Sequence, residues 1–128
     1  MNLLLDTHVT LWAAFTPEKL RESARTRLTD QSNQLWFSAV SLWEVAIKRG
    51  LNRPDFTIDP GPLRAGLLSN GYQELQLDGR HCLGLGTLPL LHNDPFDRML
   101  IVQAAAEGMV LLTADEKVLQ YSGPIEAV

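Results

Sequence analysis

Five carboxylates stand where they could do chemistry. Asp6 directly follows the apolar run Leu3-Leu4-Leu5, and Asp115 follows Met109-Val110-Leu111-Leu112 by way of Thr113-Ala114. Open parallel sheets bind ligands just beyond such runs. Each residue also has a plainer reading, because an aspartate after a strand commonly caps the next helix. Glu44 is more telling. With Val40, Trp43 and Ile47 it completes i, i+3, i+4, i+7 spacing, which predicts a carboxylate on an apolar helix face. A bare charge is costly there, so Glu44 needs either an ion-pair partner, for which Lys48 at i+4 is the candidate, or a bound cation. Asp94 and Asp97 stand three apart at the start of an apolar stretch. Asp94 reads as an N-cap, Pro95 as the first helical residue and Asp97 as a first-turn acid favoured by the helix dipole. Whether Asp97 does more depends on whether Asp6, Glu44 and Asp115 converge on the same point.

Convergence would gather hard oxygen ligands, a donor set suited to Mg²⁺ or Mn²⁺. Zinc is a poor match, since the chain has one cysteine, Cys82, and three scattered histidines. Crowded carboxylates resist losing all their protons unless a divalent cation offsets the negative potential. A cation there can neutralise a phosphodiester and acidify a bound water, which is the chemistry of phosphodiester hydrolysis. It would also reconcile a polyanionic substrate with a chain of 11 basic and 15 acidic residues, net charge −4, that lacks the global basic excess of many nucleic-acid binders.

The elements that must position these acids are legible from pattern. Leu3–Leu5, Leu35–Phe37 and Met109–Leu112 are short continuous apolar runs, as in strands covered on both faces of a parallel sheet. Thr16-Pro17 predicts a helix start, with Leu20, Ala24 and Leu28 on one face and an end near Asp30. Ser38 caps a helix running to Gly50, whose tolerance of positive φ suits a helix terminus. Asn52 to Pro62, with three prolines, reads as loop. A helix follows over Leu63 to Ser69, then a half-buried strand from Tyr72 to Leu77 with Leu75 and Leu77 inward, then a short helix capped by Asp78. The stretch from Asp94-Pro95 to Gly108 predicts the most buried helix. Strands alternating with helices imply an α/β fold, a three-layer α/β/α sandwich about a mainly parallel central sheet.

At these residues the sequence resembles PIN-domain nucleases, and most closely VapC-type toxins of bacterial toxin–antitoxin modules. The matching segments are Leu4-Leu5-Asp6-Thr7-His8, Ser38 to Ala46 around Trp43-Glu44, Asp94-Pro95-Phe96-Asp97-Arg98-Met99-Leu100, and Leu112-Thr113-Ala114-Asp115. Four such segments in order, along nearly the whole chain, are a specific signal where one would be weak. The resemblance implies Asp6, Glu44, Asp97 and Asp115 as the catalytic and metal-binding acids. It also implies bound Mg²⁺ or Mn²⁺, single-stranded RNA as substrate and a cognate antitoxin protein as partner, and it leaves room for a homodimer. This chain has Asn93 before the Asp-Pro step, where the family often carries a basic residue.

Other residues read plainly. His8, His81 and His92 show no paired spacing for acid–base work. Thr7, Ser38 and Thr113 suit turn and cap hydrogen bonds. Trp12, Trp36 and Trp43 have apolar settings that predict core or interface packing, and Cys82 lacks an activating signature. At 128 residues, 45% hydrophobic and 20% charged, the chain suits one compact domain spanning 1–128. No apolar stretch can span a bilayer, and the lone cysteine fits a reducing cytoplasmic setting. The alternatives are a noncatalytic RNA-binding or assembly module of the same fold, and a phospho-acceptor signalling domain. The latter gives Glu44 no role.

Overall fold

A computed structural model describes residues 1–128. Five strands form one sheet: β1 (Asn2–Leu5), β2 (Gln34–Ser38), β3 (Gln73–Leu75), β4 (Val110–Thr113) and β5 (Ile125–Ala127). Their order is β3-β2-β1-β4-β5 and every pairing is parallel. Six helices accompany them: α1 (Thr7–Phe15), α2 (Glu22–Thr29), α3 (Ala39–Gly50), α4 (Pro60–Ser69), α5 (Gly79–Gly84) and α6 (Pro95–Glu107). The two-residue period of the strands divides the core between the faces of the sheet. Leu4 and Leu111 pack with Leu100, Ile101 and Ala104 of α6. Leu3, Leu5 and Leu112 pack on the opposite side with Val9 of α1 and Ala24 of α2. A third cluster joins Phe37 to Val45, Leu63 and Leu67 beneath α3 and α4.

The α/β architecture and the burial of α6 agree with the sequence reading, while several details differ. Asp6 caps α1, an element the pattern left unassigned, by accepting the Val9 N–H at 2.8 Å. The helix expected from Thr16 is broken. A 3₁₀ turn over Pro17–Lys19 ends where Leu20 and Arg21 extend, and α2 begins at Glu22. Leu20, Ala24 and Leu28 nonetheless share one cluster, because the extended step turns Leu20 into the same core. α4 starts three residues earlier than expected, since Asp59-Pro60 makes the same cap and first-turn signal as Asp94-Pro95. β3 is only three residues long, and Leu77 lies beyond it at 36% exposure rather than inward. β5 was not foreseen. Positive φ falls at Asn52, two residues past Gly50, which still belongs to α3.

Trp43 departs furthest from expectation. The buried face of α3 is Val40, Ser41, Glu44 and Val45, so the helix is rotated away from the predicted stripe and Trp43 and Ile47 face outward. Trp36 keeps a packing role and its indole N–H donates to Asn2 Oδ1.

Candidate active site

The direction of chain progression across the sheet decides where a ligand can sit. From β1 the chain moves to β2 and β3, then returns to place β4 on the other side of β1. The β1/β4 boundary is therefore a topological switch point, with a crevice beyond the strand ends where connections diverge. Asp6 follows β1 there, and Thr113 closes β4 beside it.

Asp6 is 3% exposed and held at both oxygens. Val9 N–H reaches Oδ1, and the Thr113 hydroxyl donates to Oδ2 at 2.5 Å across 107 residues of sequence. Thr113 Oγ1 also accepts the Asp115 N–H at 3.0 Å, so one hydroxyl orients the segment carrying one acid against the side chain of another. Burial raises the Asp6 carboxyl above its ordinary range, the Thr113 and Val9 hydrogen bonds and the nearby His8 draw it back, and Asp115 pushes it up again. Asp6, His8, Trp12, Ala114 and Asp115 line a cleft of about 170 Å³. Asp115 Oδ1 accepts the Lys117 N–H at 2.8 Å, so its plain turn-forming role is real alongside its place in the cleft.

Asp97 lies in the first turn of α6, beneath the cap formed by Asp94, whose Oδ1 accepts from Phe96 and Asp97 N–H. Burial lifts its carboxyl to about 6. A hydrogen bond from His92 opposes the rise, and Asp94, Asp6 and Glu44 add to it. Asp97 therefore lies within electrostatic reach of both Asp6 and Glu44, and Asp6 within reach of Asp115. The four acids are electrostatic neighbours and not a tight knot. Among them only Asp97 has its carboxylate within 4.8 Å of two further metal-binding side chains, His92 and Asp94.

Glu44 gives the sharpest test of fit for a cation. It is 4% exposed on α3; Lys48 Nζ reaches Oε2 at 2.6 Å, and Oε1 is buried without any hydrogen-bond partner. Sequence spacing foresaw both the lysine partner and the cation as ways to satisfy this residue, and the lysine satisfies only half of it. A buried carboxylate oxygen lacking a donor is costly. With Asp97 within electrostatic reach, a divalent cation suits it where a neutral donor would leave the excess negative charge in place. The hard oxygen set of Asp6, Glu44, Asp97 and Asp115 thus fits Mg²⁺ or Mn²⁺ in chemistry.

His92 was missed by sequence reasoning. Its Nε2 lies 2.9 Å from Asp97 Oδ2, and its backbone N–H and that of Leu91 donate to the Tyr121 hydroxyl, which fixes the loop before α6. A five-residue separation across a loop carries no periodic signal. His81, by contrast, is structural. Its Nδ1 accepts the Asp78 N–H in a capping box, its Nε2 pairs with Glu107 at 2.9 Å, and Arg80 ties Asp78 to Glu107. The largest cavity, about 470 Å³, is lined by Phe15, Leu35, Leu63, Leu67 and Tyr72 among others. It is lined by no carboxylate, so the smaller acid-lined cleft is the better chemical candidate.

Comparison with known proteins gives a consistent picture. The family model of the PIN domain matches residues 3–124. A search of curated proteins finds none that matches. Among solved structures, VapBC2 from Rickettsia felis bound to a promoter DNA fragment is similar with TM-score 0.71 and 16% identity, covering 100% of this chain and 99% of that one. DNA-bound VapBC from Salmonella typhimurium gives 0.66 and 19%, covering 99% and 98%. VapBC-1 from nontypeable Haemophilus influenzae gives 0.61 and 20%, covering 94% and 91%. At these identities the structures speak for the fold.

Proposed function

The chain belongs to the PIN-domain family, and on that premise we propose that it is a metal-dependent endoribonuclease cutting single-stranded RNA, the toxin of a toxin–antitoxin pair. The observation that carries the proposal is the unpartnered, buried Oε1 of Glu44, a carboxylate within electrostatic reach of Asp97. Asp6, Glu44, Asp97 and Asp115 are the metal-binding residues of this reading. A bound Mg²⁺ or Mn²⁺ would supply charge neutralisation at a phosphodiester and a more acidic water.

The chain's own residues prepare that chemistry. Thr113 and the Val9 N–H fix Asp6 before substrate arrives, so no reorientation is needed on binding. His92 holds the Asp97 carboxylate, while Lys48 restrains one oxygen of Glu44 and leaves the other free. Partnership with an antitoxin is supported by the solved neighbours being VapBC complexes. A cytoplasmic setting accords with the family, and no helix is long and apolar enough to cross a membrane.

The deciding experiment is cleavage of total RNA with and without Mg²⁺ or Mn²⁺, with the ends mapped. Cleavage leaving 5′ phosphate and 3′ hydroxyl, abolished by chelation and by Asp6→Asn, is expected. RNA binding without turnover under every metal condition would instead support the noncatalytic module.

A further inference from the structure

We propose that Trp43, braced by Phe96, is a stacking platform for an unpaired nucleobase flanking the scissile phosphodiester, an inference that rests on the nuclease reading above. Trp43 is 53% exposed and belongs to none of the three core clusters, although its neighbours Glu44 and Val45 are buried. Phe96 is rooted in the core and meets it edge to face, with ring centroids 5.0 Å apart at 83°. That geometry is attractive through the ring quadrupoles and fixes the indole while leaving much of its surface open.

The placement ties the pair to the acids. Trp43 immediately precedes Glu44 on α3, and Phe96 immediately precedes Asp97 on α6. The aromatics touch one another, and the two carboxylates sense one another's charge. The Trp43–Phe96 contact thus joins α3 to α6 one residue before the acid on each helix, and a nucleotide long enough to reach from the acids to the exposed indole could set a base on it.

Charge gives the platform its purpose. A chain of net charge −4 does not hold a polyanion by its overall field. The nearby cations already have partners: Lys48 pairs with Glu44, Arg49 with Asp59, and Arg98 donates to the Leu88 and Pro89 carbonyls and the Tyr121 hydroxyl. Stacking is indifferent to net charge and tolerant of base identity, and it requires a base whose face is free, which a duplex does not offer. Recognition by Trp43 would therefore select unpaired strands without dictating a sequence.

The test compares wild type, Trp43→Ala and Trp43→Phe on a single-stranded oligoribonucleotide and on the same RNA with an abasic residue at each position flanking the cut. Trp43→Ala should lower kcat/KM about 5- to 150-fold, equivalent to ~1–3 kcal/mol for one stacked base, chiefly through KM, with Trp43→Phe retaining most activity. One abasic position should impose a similar loss on wild type and little further loss on Trp43→Ala, as expected of coupled partners. Unchanged kcat/KM in Trp43→Ala, or fully additive losses, would overturn the platform. Binding of the intact and abasic oligonucleotides is measured separately in an Asp97→Asn background. If wild type cleaves nothing, the nuclease reading fails, and this binding arm still decides the platform. Equal affinity with and without Trp43 overturns it, as would equal affinity accompanied by loss of self-association or of antitoxin binding.

Discussion

Asp97 carries two roles that substitution can separate. As a partly buried first-turn acid it contributes about 0.3–2 kcal/mol through the helix dipole, whereas as a metal ligand it would be indispensable. Asp97→Asn should stay folded and lose cleavage, and near-normal turnover by the folded variant would remove it from the site. Its carboxyl, raised to about 6 from an ordinary 3.8, makes a pH prediction for the metal-free protein. Between pH about 4 and 6 the folded state holds the proton more tightly than the unfolded chain, so this residue's contribution to stability declines as pH rises through that window. Asp97→Asn escapes the decline. In chelator at pH 7.5 the variant should be more stable than wild type by about 1–2 kcal/mol after allowance for solvent screening, with the gain vanishing near pH 4. Urea unfolding at the two pH values checks this, and equal gains at both would refute the sign. At this scale the sequence was most legible where the interaction is local. The caps by Asp94, Ser38 and Asp78 span two or three residues and follow from residue type. The contact of His92 with Asp97 depends on a loop pinned by Tyr121, 29 residues further on, and no local pattern announces it.

Helices and strands were legible in proportion to their length and caps. α3 and α6 emerged nearly whole, because each starts at a side-chain cap and α6 stops at Gly108 in the left-handed region. The alternation from Tyr72 to Leu77 announced β3 but overstated its length, whereas β5, also three residues, takes its identity from its pairing with β4 and was not announced. Rotation of α3 was hidden as well, since one apolar stripe containing both Trp43 and Glu44 does not say which of the two turns inward. Close approach of α5 and α6 yields a further prediction. A Cβ added at Gly84 would lie 2.6 Å from Cγ1 of Val102, a buried, β-branched helical residue with little rotamer freedom. Gly84→Ala should therefore cost about 1–3 kcal/mol from overpacking, which exceeds the ~0.5–1 kcal/mol that alanine gains in a helix. A lower denaturation midpoint with unchanged m-value is expected; a stabilised variant would show that the two helices can slide apart freely.

Across the whole molecule, the sheet order places the acids. Alternating patterns foretold an α/β fold, but the order that puts β4 against β1 is a long-range choice, and with it comes the crevice holding Asp6 and Asp115. Cation binding should be felt throughout this frame, because a ligand bound only by the folded state stabilises it by about 2.7 kcal/mol at a hundredfold excess over Kd. Mg²⁺ or Mn²⁺ should raise the thermal midpoint of wild type by several degrees and leave Asp97→Asn nearly unmoved. Identical shifts in the two proteins would place the ion elsewhere. The same topology also acts as a clock. Thr113 orients Asp6 from 107 residues away, and β1, the middle strand, pairs with β4 at that same separation. At about 5–20 residues per second of synthesis, Asp6 waits some 5 to 20 s after it is made before the hydroxyl that orients it exists. A growing chain therefore lacks an oriented Asp6 for most of its own translation.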